Sequence, residues 1–84
     1  MLTFAPHVVV KTSEPGRLRR ITSVSQAAEA MIEWPDKARR GRAFKLAAKA
    51  CHAALSGTGT ASKARRTFIA AAKEADVFVR EPGR

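Results

Sequence analysis

The spacing of apolar positions along the chain changes from period two to helical and back, and each change marks an element. Val8-Val9-Val10 is a short β-branched run, opened by Pro6 and closed by Lys11-Thr12-Ser13. Glu14-Pro15-Gly16 reads as a turn, because proline presets one central dihedral and glycine accepts a positive one. Over Leu18 to Thr22 the pattern alternates, with Leu18 and Arg20 on one face and Arg19 and Ile21 on the other. Two short runs about a Pro-Gly turn predict a β-hairpin over residues 7–22. Arg17, Arg19 and Arg20 give its second strand the charged decoration of a sheet edge.

Helical spacing follows. Ser23 can cap a helix, and Gln26 three residues later completes a capping box. Val24, Ala27, Ala28, Met31 and Ile32 then share one face, which predicts a helix over 24–33, stopped by Pro35. A second helix is expected over 40–55, starting between Asp36 and Arg42. Its stripe is Phe44, Ala47, Ala48, Cys51 and Leu55, widened by Leu46, Ala50 and Ala54. Gly57 is placed as its left-handed terminator. After the connector Gly57-Thr58-Gly59-Thr60, either Thr60 or Ser62 can cap a third helix over 61–75, with Ala61, Ala64, Phe68, Ile69, Ala72 and Ala75 on its apolar side. Val77-Phe78-Val79 makes a short final strand, and residues 80–84 read as a frayed tail. The expected fold is α+β in the order β-β-α-α-α-β. A small antiparallel sheet packs on three alanine-rich helices, with the partner of the last strand left open.

Length and composition narrow the class. At 84 residues and 45% apolar content the chain is one folded domain. Much of that apolar content is alanine, so the core is thin and dimerisation would help it. The large core candidates are Phe4, Leu18, Ile21, Met31, Ile32, Trp34, Phe44, Leu46, Leu55, Phe68, Ile69 and Phe78. One cysteine, Cys51, cannot form an internal disulfide, which fits a reducing cytoplasm. No run approaches the roughly 20 apolar residues of a membrane span, and no signal-peptide pattern is visible, so no membrane association is expected.

Several residues in order form a recognisable set: Phe4 and Pro6, Ala27-Ala28, Trp34-Pro35, Ala50-Cys51-His52-Ala53-Ala54-Leu55 with Gly57, Ala64-Arg65, Phe68-Ile69-Ala70-Ala71-Ala72 and Glu74-Ala75. In these the chain resembles domain-of-unknown-function family 982, small proteins of rhizobia and related α-proteobacteria. The resemblance spans nearly the whole chain and implies a cytoplasmic α+β domain. It implies no activity, ligand or catalytic residue. Asp76 departs from it, standing where the family pattern favours glycine, and the basic residues between 37 and 73 are outside it.

Those basic residues hold the chain's charge. Ten lysines and arginines lie between Asp36 and Glu74 with no carboxylate among them, while the flanking stretches nearly cancel, so the net +9 sits in one block. Segregated charge favours polyanionic partners. On helical wheels Arg42, Lys45, Lys49 and His52 share one outward stripe, and Lys63, Arg66, Ala70 and Lys73 share another. Arg42, Lys45, Lys49, Lys63, Arg66 and Lys73 are therefore the candidate anion or polyanion surface, strongest near Lys63 and Arg66, where a threonine or serine hydroxyl and helix-start amides add to it. The Lys37–Arg42 end is expected to be partly neutralised by Glu74 and Asp76 across an antiparallel helix pair. Arg65 falls on the Phe68-Ile69 side and belongs to the framework.

Catalytic chemistry finds little support. Cys51 lies mid-stripe among alanines, where a thiol is buried and inert. Two histidines, one cysteine and no convergent carboxylates do not make a zinc site, and no cofactor is expected. Gly57-Thr58-Gly59-Thr60 lacks the strand and the Lys-Ser/Thr pair of a phosphate-binding P-loop. Trp34 is expected to cap the core. The reading is a non-catalytic binding or interaction module that associates with itself as a homodimer. The competing reading is weak, non-specific nucleic-acid or other polyanion binding through the basic block.

Overall fold

Val8, Val9 and Val10 occupy the central strand of a three-stranded antiparallel sheet in the computed structural model, which describes residues 3–12, 14 and 16–80. The strands are β1 (Thr3–Lys11), β2 (Leu18–Ser23) and β3 (Phe78–Arg80), in the order β2-β1-β3. The hairpin forms as expected, pairing Val8 with Ile21 and Lys11 with Leu18. The first strand begins earlier than the valine run, at Thr3, and its register shifts between Thr3 and Val8. Pro6 lies inside that shift and has no amide hydrogen to donate to a ladder. The last strand finds its partner in β1, with Val9 opposite Arg80 and Val10 opposite Phe78. Ser13, Pro15 and the tail residues 81–84 lie outside the described residues.

Four helices follow the hairpin: α1 (Val24–Ile32), α2 (Asp36–Arg39), α3 (Arg42–Leu55) and α4 (Ala61–Glu74). Ser23 caps α1 by accepting from the Gln26 amide at 3.2 Å. The Gln26 side chain closes the box one residue early, accepting from the Thr22 amide and hydroxyl. The second expected helix is divided. Pro35 starts the single turn α2, and Gly41 then takes an extended conformation as the N-cap of α3. A Cβ at position 41 would meet the end of the exposed Glu74 side chain, which puts that carboxylate beside the N-cap of α3. The Glu74 carboxylate beside the start of α3 also suits the positive end of that helix.

Helices α3 and α4 end in the same motif. Beyond α3, the Gly57 amide donates to Ala54 O at 3.2 Å and the Thr58 amide to Ala53 O at 2.9 Å, with Gly57 at φ +86°. Beyond α4, Asp76 donates to Lys73 O at 3.2 Å and Val77 to Ala72 O at 2.9 Å. Both are Schellman turns, which need a left-handed residue at the position after the C-cap. In the second turn that residue is Asp76, at φ +62°. A β-carbon is disfavoured there, although aspartate tolerates the region better than most residues. Asp76→Gly is expected to stabilise the fold by about 0.5 kcal/mol, because relief of this strain slightly exceeds the added chain entropy of glycine. Thermal unfolding should register the change as a Tm rise of roughly 2–4 °C, and a fall in Tm would refute the assignment.

The helices cover one face of the sheet and enclose the core. Phe4, Val8, Val10 and Ile21 from the sheet meet Val24, Met31 and Trp34 from α1 and its exit, with Phe68 from α4 fully enclosed. Trp34 caps this centre as expected, its ring 5.7 Å from Phe68 and 6.0 Å from Phe44. The helix seams themselves are made of alanine: Ala27 and Ala30 on α1, Ala47, Ala50 and Ala54 on α3, and Ala64, Ala71 and Ala72 on α4.

Four expected core residues are not in the core. Leu18, Ile32, Leu46 and Leu55 are exposed, at 51%, 70%, 53% and 47%. On the helices the reason is the alanine seam. Methyl-sized contacts let helices approach closely, and the larger side chains beside the contact line are left outside it. Leu18, on β2, belongs to the strand face opposite Ile21, which the helices do not cover.

Candidate functional site

The connector Gly57–Thr60 folds α4 back along α3 and builds a groove of about 560 Å³ between them. Its floor is apolar, formed by Leu46, Ala50 and Ala53. Lys49 stands on the α3 wall and Lys63 on the α4 wall, with Thr58, Thr60 and Thr67 completing the lining. Helical periodicity explains this set. Residues 46, 49, 50 and 53 share the side of α3 turned to α4, and 63 and 67 are one turn apart on α4. Gly59 closes one end, where an added β-carbon would lie 2.9 Å from Ala53 Cβ and 3.2 Å from its carbonyl carbon. The connector therefore rests directly on α3.

The hydroxyls in the groove are already engaged. Thr60 caps α4 by accepting from the Lys63 amide at 3.1 Å. Thr58 Oγ1 donates to Ala53 O, and Thr67 Oγ1 lies 2.9 Å from Lys63 O. Lys49 and Lys63 supply the charge, and among the described residues no carboxylate lines the groove.

The six residues expected to form one anion surface do not converge. Lys49 and Lys63 share the groove, while Arg42 and Lys45 are exposed on α3 and do not line it. Arg66 is exposed but does not line the groove. Lys73 is turned to β3, with Nζ 5.1 Å from the centroid of the Phe78 ring, a cation–π geometry. Of the α4 residues in the expected stripe, Lys63 lines the groove and Lys73 meets Phe78. Arg65 is half-buried, as the framework reading expects. At the far end of α4, Lys37, Gly41, Glu74 and Asp76 border one depression, so acids do stand beside the start of the basic block.

A second groove, of about 240 Å³, runs between α1 and α3. Ala28, Met31 and Ile32 form one wall and Ala48, Cys51, His52 and Leu55 the other. Sequence reasoning assigned Ile32 and Leu55 to the core and missed this apolar surface. The signal available was the alanine content of the stripes, which marks close helix approach. Cys51 itself is buried, and burial pushes its thiol from 9.0 up to about 11, the opposite of an activated nucleophile. Among the described residues no group of three histidines, cysteines or carboxylates is placed to hold a metal ion. Among the described residues no helix is long and apolar enough to cross a membrane.

A family model described as "Protein of unknown function (DUF982)" matches residues 7–79. The chain belongs to that family. Within the DUF982 match lie most of the β1–β2 hairpin, all four helices and the beginning of β3, so both grooves fall inside it. No curated protein and no solved structure matches the chain. The DUF982 assignment thus establishes kinship without a chemistry, and the surface has to be read from its own residues.

Proposed function

We propose that this DUF982 domain is a non-catalytic interaction module whose working surface is its helical layer, and that it pairs with a second copy through the groove between α1 and α3. One observation carries the reading. Of the four large hydrophobic side chains exposed among the described residues, three (Ile32, Leu46 and Leu55) flank the grooves on either side of α3. Large exposed apolar side chains gathered on one layer mark contact surfaces more often than scattered ones do. The β2 edge is a poorer route to a dimer, since antiparallel pairing of two β2 strands would bring the Arg19 and Arg20 side chains of both copies together. A lone buried cysteine fits a cytoplasmic setting.

Sedimentation velocity tests the pairing. The domain is expected to dimerise at about 100 µM, the regime of an association free energy near −5 kcal/mol. Ile32→Asp with Leu55→Asp, both at exposed positions, should yield a folded monomer. Added salt should strengthen the dimer, because each copy carries +9 and screening removes their repulsion. A wild-type chain that stays monomeric at that concentration removes this reading.

The alternative reading, binding of an anionic partner, rests on Lys49 and Lys63, which both line the α3–α4 groove. Its salt dependence has the opposite sign, since added salt weakens it.

A further inference from the structure

We infer that the α3–α4 groove receives an acidic amphipathic segment of a partner protein, with its apolar side on Leu46, Ala50 and Ala53 and its carboxylates on Lys49 and Lys63. The inference deepens the anionic-partner reading and is independent of the pairing proposed for the α1–α3 face.

The two halves of the groove ask for different chemistry in one ligand. The floor presents a half-exposed leucine and two alanines, which gain from an apolar contact. The walls present one ammonium each, on opposite helices, with no acid among the lining residues. The nearest carboxylate on α4, Glu74, is three turns beyond Lys63, roughly 16 Å along the axis, and is taken up at the start of α3. Arg42 and Lys45 extend the same positive field along α3. The threonine hydroxyls already have partners within the fold, so the lysines are the polar handles. The contact of Gly59 with Ala53 fixes the closed end in place, so little ordering is needed on binding.

A helix with apolar residues three and four apart and glutamates beside them meets both demands at once, in the helix-in-groove mode. A nucleic-acid strand meets only one. Its phosphates would satisfy the lysines, but the leucine and alanine floor would face a hydrated backbone, and the groove has no aromatic ring on which a base could stack. A second copy of this chain is also a poor occupant. Its acid-bearing helix α1 has Val24, Ala27, Ala30 and Met31 in the core, its Glu29 is paired with Arg19, and its exposed Ile32 belongs to the α1–α3 face assigned above to pairing.

The probes are a labelled synthetic peptide of leucine and glutamate with helical spacing, the same peptide with glutamine for leucine, and a DNA duplex of similar length, each titrated against the full chain by fluorescence anisotropy at low and moderate salt. The leucine peptide should bind most tightly. Leu46→Gln and the Lys49→Glu, Lys63→Glu pair should each weaken it by about tenfold or more, as a central contact does. All three positions are exposed, and unchanged thermal unfolding shows that the fold is kept. Ile32→Asp with Leu55→Asp should leave peptide binding intact, which separates this site from the pairing face. The proposal is overturned if the leucine peptide does not bind, if the glutamine peptide or the duplex binds as tightly, or if the groove variants bind like wild type.

Discussion

Phe68→Ala is expected to leave the domain largely unfolded at room temperature. Phe68 is fully buried and its ring lies 5.8 Å from Phe4 and 5.7 Å from Trp34, so one side chain joins β1, the exit of α1 and α4. Truncating a buried phenylalanine costs about 3–5 kcal/mol, in lost transfer energy and a residual cavity. A domain of this length holds roughly 4–13 kcal/mol in total. The alanine-rich seams place it toward the lower end, because each alanine buries little area, and few other large side chains are enclosed. Near-UV circular dichroism should lose its aromatic signal and thermal unfolding its cooperativity. Phe68→Leu, which leaves a smaller void, should stay folded with a lowered Tm. An alanine variant whose Tm falls by less than about 5 °C would show that the aromatic cluster is not the keystone of the core.

A second large effect is expected in alkaline solution, and it comes from Cys51. In the unfolded chain this thiol ionises near its ordinary value of 9.0, while in the folded protein burial holds it protonated to about 11. Between those two values the unfolded state binds fewer protons than the folded one, so stability falls as pH rises. The contribution is fully present below pH 9 and is lost progressively up to about pH 11. Its size is of order 1–3 kcal/mol, from the free-energy equivalent of a pKa difference. Denaturant midpoints measured from pH 8 to 11 should decline, and Cys51→Ala should flatten that decline while lowering stability by a constant amount. Equal slopes for the two proteins would rule out the thiol as the cause.

The parts of this fold that were legible in sequence are those governed by neighbours a few residues away. Ser23, Gly57 and Thr60 cap or terminate helices through groups within five positions, and each does so as its chemistry predicts. The break at Gly41 is different, because Pro35 and Gly41 each start a helix and the spacing of apolar positions does not show that both starts are used. Burial of the leucines was misjudged for a related reason. A wheel shows which side of a helix is apolar, but not how closely an alanine seam draws its neighbour in. The groove was half legible. The short connector implied that α3 and α4 lie side by side, and the structure does bring Lys49 and Lys63 together. The position of Lys73 was not legible, because its contact with Phe78 depends on the Schellman turn at Asp76 that carries the chain into β3.

The central position of β1 has a consequence for how the chain is made. Its first partner, β2, is translated immediately after it, but its second, β3, comes only after all four helices. Roughly 70 residues separate the paired positions Val10 and Phe78, which at about 5–20 residues per second leaves one side of β1 without its strand for several seconds. During that interval the hairpin and the α3–α4 pair can form from local contacts, while the valine run keeps an open hydrogen-bonding flank. At that stage the open flank of β1 is an edge that another chain could pair with, and the charge on the helical segment keeps such chains apart.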